Sequence, residues 1–210
     1  MTPTNPNRRA EIIDAAERRF ASQGYLQTSV SEIIGDAGIA KGTFYHYFQS
    51  KESVMYAVID KNITLLKTQV ESYMAESTQP PLAQFTMILG GGFAPRRPET
   101  TAISTELEQD GNELMHMRAI DATINALIPP LADLLGRATA SGDIDCPNPN
   151  IAAAAILVLS AQLLDRDLLG WVKTCDIATI RNFGGVAERV IGAPTGTFAP
   201  IVDSFIASMP

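Results

Sequence analysis

The sequence is poor in the residues that most active-site chemistry needs. Its 210 residues include two cysteines, two histidines and one tryptophan. Cys146 and Cys175 cannot staple a disulfide framework, and two histidines leave too little for a metal cage. No apolar run reaches the roughly 18 residues of a membrane span. The best stretch, 151–164, is interrupted by Ser160 and Gln162. Residues 1–9 are polar and no apolar signal segment follows them, so export is not expected and the expected address is the cytoplasm. There is no Gly-x-Ser-x-Gly elbow, His-Glu-x-x-His pair or Cys-x-x-Cys. Gly90-Gly91-Gly92 follows no strand and leads into no Gly-Lys-Ser/Thr, so it is not a phosphate loop. Enzymatic activity has no constellation to support it, and neither a cofactor nor a metal is expected.

What is present is an ordinary globular composition, 46% hydrophobic and 19% charged. The net charge of −7 hides an asymmetry. Residues 1–67 carry eight Lys/Arg and seven Asp/Glu, whereas residues 68–210 carry eight and sixteen. A near-neutral head precedes an acidic body, and the overall sign does not exclude phosphate contact by the head.

No run of alternating apolar residues and no internal repeat occurs, and the periodicity is helical throughout. Ile12, Ala16 and Phe20 form one stripe over residues 8–23, which Gly24 stops. Ser29 and Glu32 have capping-box spacing ahead of Val30, Ile33, Ile34 and Ala37, with Thr28 a second candidate cap. Gly38 ends that helix, a third runs over 41–47, and Ser50 caps a long fourth. Two short helices joined by a tight glycine turn and braced by a preceding one describe a helix-turn-helix unit. Beyond Gln79-Pro80-Pro81, helices are expected at 82–89, 99–109, 112–140 (bent at Pro129-Pro130), 151–172 and 177–191. The expected fold is all-α, with a head at 1–52, a connecting helix at 50–76 and an antiparallel helical-bundle body at 80–210.

The third helix carries the chemistry. Phe44 and Phe48 point one way, into a small core; Lys41 and Tyr45 point the other, with Gly42 and His46 beside them. Lysine can donate to guanine, tyrosine can meet a phosphate or a thymine methyl, and glycine lets backbone approach closely. Lys51 and Thr28 stand at helix starts, where side chain and free backbone N–H groups can share one phosphate. The alternative reading has Tyr45, His46 and Tyr47 packing against the fourth helix.

The stretch Ile39-Ala40-Lys41-Gly42-Thr43-Phe44-Tyr45-His46-Tyr47-Phe48-Gln49-Ser50-Lys51-Glu52 resembles the signature of the TetR (tetracycline-repressor-like) family. Upstream, Gly24-Tyr25, Thr28-Ser29-Val30 and Ile33-Ile34 stand where that family ends its first helix and builds its second. The likeness covers roughly residues 10–60. It implies a homodimeric, ligand-responsive transcription regulator, usually a repressor, with DNA contacts at Thr28, Lys41, Gly42, Thr43, Tyr45, His46, Tyr47 and Lys51. Ala40 departs from the pattern. The family often has serine there, capping the recognition helix and touching a phosphate, and alanine does neither. A lost cap costs about 0.5–2 kcal/mol, so this recognition helix is expected to be firm only on DNA.

The body is free of recognisable motifs. Leu114, Met117, Ile120, Ile124, Leu127, Ile128, Leu131 and Leu135 form a stripe, with Glu113 inside it and His116 at its edge. Either a ligand or a Glu113–His116 hydrogen bond accounts for polar groups there, or Glu113 reaches solvent from a helix start. Met87, Met115 and Met117 with Phe85 and Phe93 suggest a deformable apolar cavity, or plain core. The candidate effector site is therefore Met87, Phe93, Glu113, His116, Met117 and Ile120, for a largely apolar ligand. The helix starting at Ile151 is apolar nearly all round, and Gly184-Gly185 interrupts the next. Both features suit an intersubunit four-helix bundle through Ala153, Ile156, Leu157, Gly184 and Gly185, or else an internal core. The expected partners are a double-stranded DNA operator, a small-molecule effector and a second copy, with no membrane. An activator, a thiol sensor using Cys146, or a helical binding protein without DNA activity are the rival readings.

Overall fold

The computed structural model describes the backbone of residues 6–93, 97–108, 111–164 and 177–207, without the side chains of 6, 162–164 and 205. These residues form helices α1 (Pro6–Gln23), α2 (Val30–Asp36), α3 (Lys41–Tyr47), α4 (Lys51–Glu76), α5 (Pro81–Leu89), α6 (Pro98–Leu107), α7 (Glu113–Ala140), α8 (Pro149–Leu164), α9 (Ile177–Ile191) and α10 (Ala199–Ala207). No strand occurs among the described residues, and the fold is all-α. None of these helices is long and apolar enough to cross a membrane. The expected extension of the 151–172 helix beyond Leu164, and Cys175, lie outside the described residues. α10 was not foreseen, because a short apolar segment between Gly196 and a final proline has too few turns to show a period.

The starts of the head helices follow from their caps. Ser29 and Glu32 form the capping box: the Glu32 amide donates to Ser29 Oγ at 3.3 Å, and the Ser29 amide donates to Glu32 Oε2 at 2.7 Å. α4 begins on a reciprocal serine pair, in which the Ser53 amide donates to Ser50 Oγ at 3.1 Å and the Ser50 amide to Ser53 Oγ at 3.2 Å. α3 begins at Ala40 with no side-chain cap, yet it is formed, anchored by the buried Phe44.

Contacts divide the chain into two compact units, residues 1–66 with 96–122, and residues 67–95 with 123–210. The first contains the head and also α6 and the start of α7. Its core joins Ile12, Ala16 and Phe20 of α1, Ile33 of α2, Phe44 and Phe48, and Val54 and Val58 of α4 to Ile103 and Leu107 of α6 and Met115 of α7. A charged network ties α4 to α1. Buried Glu17 accepts from Lys61 Nζ at 2.6 Å and from Asn62 Nδ2 at 3.1 Å, while Lys61 also reaches Asp14 at 2.5 Å. A buried carboxylate is tolerable only when so partnered.

The second unit packs Phe85 and Ile88 of α5, Leu131, Leu134 and Leu135 of α7, Ile156 of α8, Ile180, Ala187 and Ile191 of α9, and Phe198 and Val202 of α10 as buried apolar groups. α9 and α10 approach closely at Gly184, where a Cβ would stand 3.0 Å from Val202 Cγ2. Glu188 orders the turn between them by accepting from the Gly196 amide at 2.9 Å and the Phe198 amide at 3.0 Å. α7 runs through Pro129 and Pro130 as one continuous helix.

Candidate nucleic-acid interface

α3 carries buried and exposed side chains side by side. Phe44 and Phe48 are buried, whereas Lys41, Gly42, Tyr45 and His46 are exposed, Tyr45 by 48%. The Tyr45 ring stands edge-on against Phe44 at 5.3 Å, which fixes its direction, and His46 is similarly set against Tyr47 at 5.0 Å. Thr43 and Tyr47 are half-buried at the flanks. A Cβ on Gly42 would meet nothing within 4 Å, so no neighbour inside the protein requires glycine there. Glycine in a helix costs about 1 kcal/mol relative to alanine. Arg9 lies over the Phe48 ring at 5.2 Å, placing a further cation beside the end of α3.

Two residues expected on phosphates do something else. Thr28 is only 1% exposed, and its hydroxyl donates to Gly24 O at 2.8 Å. Lys51 turns inward: its ammonium donates to Tyr25 O at 2.7 Å, Thr28 O at 2.8 Å and Leu26 O at 3.3 Å, and sits 4.3 Å from the Tyr25 ring centre. Burial pushes its pKa down. The reason is geometric: the carbonyls of Tyr25, Leu26 and Thr28, in the turn after α1, converge on the Lys51 ammonium. Thr28 and Lys51 therefore brace the α1–α2 turn.

A third brace, Glu106, was missed by sequence reasoning. Its carboxylate accepts from the Tyr25 amide at 2.6 Å across 81 residues of chain. A glutamate in a helix assigned to the body carries no sequence signal for such a contact.

The effector candidates are divided between the units. Glu113 is exposed and accepts from the Gly111 amide at 3.0 Å; this bond and one to its own amide hold its carboxyl below its ordinary pKa. It caps the start of α7, so its place in the apolar stripe is corrected. The first turns of that stripe face outward as well, with Leu114 75% and Met117 52% exposed. His116 and Ile120 are half-buried in this same unit. In the other unit, Met87 and Phe93 are half-buried, and Phe93 stands 6.0 Å from Tyr73. Tyr73 and Phe93, with Glu76, Gln79 and the end of α4, line an open groove of about 580 Å³.

The dimer candidates are mostly inside the unit. Ala153, Ile156 and Leu157 are buried within the unit, and Gly184 is filled from the other side by α10. Gly185 alone of the set has open space beside it. Among the described residues, large apolar side chains exposed on these helices are Ile151, Val158 and Leu159 of α8 and Ile177, Val186 and Val190 of α9. Cys146 is buried and its thiol is pushed up by desolvation, the reverse of a reactive thiolate. Among the described residues no group of three or more His, Cys, Asp or Glu could hold a metal ion.

Residues 12–58 match the sequence model of the bacterial regulatory proteins of the tetR family. Over this stretch the chain is similar to the tetR-family regulators. It is 30% identical over 83 residues to an uncharacterized HTH-type transcriptional regulator in the lacX 3′ region of Lactococcus lactis subsp. lactis, covering 40% of this chain and 42% of that one. It is 27% identical over 135 residues to the fatty acid metabolism regulator protein of Bacillus subtilis (strain 168), covering 64% and 69%. The chain thus spans less than half of the first relative's length. In fold, the chain resembles the crystal structure of RolR without ligand, at a TM-score of 0.61 and 20% identity over 92% of this chain and 96% of that one. A TetR-family regulator from Mesorhizobium loti gives 0.60 at 21% identity, covering 96% of each.

Proposed function

We propose that this chain is a homodimeric regulator that binds a palindromic DNA operator through two copies of α3, as a repressor released by a small, largely apolar ligand. The exposed set on α3 supports this reading most. Lys41, Gly42, Tyr45 and His46 lie together, on a helix whose other face is committed to the core. A glycine without any internal reason at that place suits a surface that another molecule approaches closely. Lys41, Gly42, Thr43 and Tyr45 read bases; His46 and Tyr47 meet phosphates from the flanks. Thr28 and Lys51 contribute indirectly, by holding the turn that places α2.

Dimerisation is assigned to the uncovered stripes of α8 and α9. Ile151, Val158 and Leu159 recur at helical spacing, as do Val186 and Val190. A two-fold pair of these helices brings two recognition helices to successive major grooves. The effector is assigned to the acidic body around Met87 and Phe93. A solved complex of RolR with resorcinol, at a TM-score of 0.60, shows that a neighbour in fold accepts a small molecule.

Selection of duplexes from a random pool by the purified chain, at two salt concentrations, tests the reading. The expected result is an enriched palindrome whose binding falls steeply with salt. No enrichment, either before or after unfolding, dialysis and refolding to remove a copurified ligand, overturns it.

A further inference from the structure

The turn joining α1 to α2 is held by two charged side chains. Lys51 gathers its carbonyls, and Glu106 near the end of α6 accepts from the Tyr25 amide at 2.6 Å. Glu106 is 7% exposed. Gly24 makes room for it: φ is +89°, and a Cβ there would lie 3.0 Å from Glu106 Oε2. The end of α6 is fixed in turn by Asn112, whose buried Nδ2 donates to Glu106 O at 2.8 Å. At the start of α6, Thr100 donates to Asn62 Oδ1 at 3.0 Å, and Asn62 donates to the buried Glu17 of α1 at 3.1 Å. A short, buried, charge-assisted bond to a backbone amide is a steep restraint on the groups that it joins. α6 can therefore shift only by breaking that bond or by carrying the turn with it. The turn sets the start of α2, and α2 packs on α3.

We propose that Glu106 is a positioning residue for the recognition helix: its carboxylate locks the α1–α2 turn to α6, so that α6 and the helix-turn-helix move together. Asn112 links α6 to α7, a helix that begins in this unit and ends, at Ala140, in the other. The lock stands on its own geometry, and its regulatory use rests on the DNA-binding reading.

Amide hydrogen exchange on the full chain tests it with Glu106→Ala and Glu106→Gln, the latter retaining an acceptor oxygen. Without DNA, Glu106→Ala speeds exchange at Tyr25 and through α2 by about tenfold or more, while Glu106→Gln stays within about threefold of the native chain. α9 in the other unit is unchanged in both. By reciprocity, a duplex obtained from the random pool slows exchange in α6 of the native chain and of Glu106→Gln; Glu106→Ala still binds it but leaves α6 unprotected. Equal α2 exchange in native and alanine chains overturns the proposal, as does α6 protection retained in the alanine variant. Should Glu106→Ala fail to fold, absence of α6 protection in the native chain on DNA overturns it equally. If no duplex binds at all, the DNA-binding reading falls, and the DNA-free comparison still judges the lock.

Discussion

Lys51→Met separates two roles that a lysine at a helix start can play. In this structure the ammonium donates to three turn carbonyls and lies over the Tyr25 ring. Methionine keeps most of the apolar stem against Tyr25 and removes the donors. Hydrogen bonds involving a charged group contribute about 1.5–3 kcal/mol each when well made, but the three share one partly exposed cation. The desolvation that lowers the Lys51 pKa offsets part of that gain. A net loss of about 2 kcal/mol is expected, equivalent to roughly 30-fold faster exchange of the amides in residues 25–36. Specific DNA affinity falls with it, since α2 and α3 are less well placed. The salt dependence separates the roles. A lost phosphate contact in each of two protomers would reduce the slope of log K against log salt by about 1.8. A lost brace leaves the slope unchanged. Unchanged exchange together with a shallower slope would refute the bracing role and restore Lys51 to the phosphates.

Val158→Glu combined with Val190→Glu places charges on the uncovered stripes of α8 and α9. It is expected to give a folded monomer by sedimentation, whereas Ala153→Glu disrupts folding because Ala153 is fully buried. Glu32 is held below its ordinary pKa chiefly by the Ser29 amide, and Asp36 by its hydrogen bond with Arg19. Both groups bind fewer protons folded than unfolded, so their contribution is present above the ordinary carboxylate range and lost as pH falls through their lowered values. Acid titration followed by NMR should therefore loosen α2 only below about pH 4. A loss of α2 above pH 5 would contradict this. Cys146 should resist alkylation in the native chain and react on unfolding, and Cys146→Ser should leave ligand response intact.

The head was legible because its faces are decided locally. Large apolar Phe44 and Phe48 among polar neighbours marked the buried side, and Ser29 with Glu32 needed only the capping spacing. Direction was not legible. A lysine at a helix start suits a phosphate or a set of carbonyls equally well, and only the approach of residues 23 to 26 positions away decides for Lys51. Glu106 depends on a contact 81 positions distant, so nothing near it in sequence could reveal its partner. On α8 the difficulty is of another kind. A helix apolar all round gives the period no face to mark, and the small Ala153 proved to be inside while Val158 and Leu159 remained outside. On α7 the stripe is real, but its first turns, Leu114 and Met117, are exposed, and Glu113 is spent on the helix start.

The central claim is that the exposed face of α3 reads DNA bases, and Lys41→Ala tests it most directly. Lys41 is exposed, so its removal should leave the fold intact. Binding of the native and variant chains is measured on the selected palindrome and on a scrambled duplex at the same salt. A base-reading lysine contributes about 1–3 kcal/mol of discrimination, so the ratio of specific to non-specific affinity should fall by about tenfold or more. An unchanged ratio, with specific affinity intact, would contradict the account.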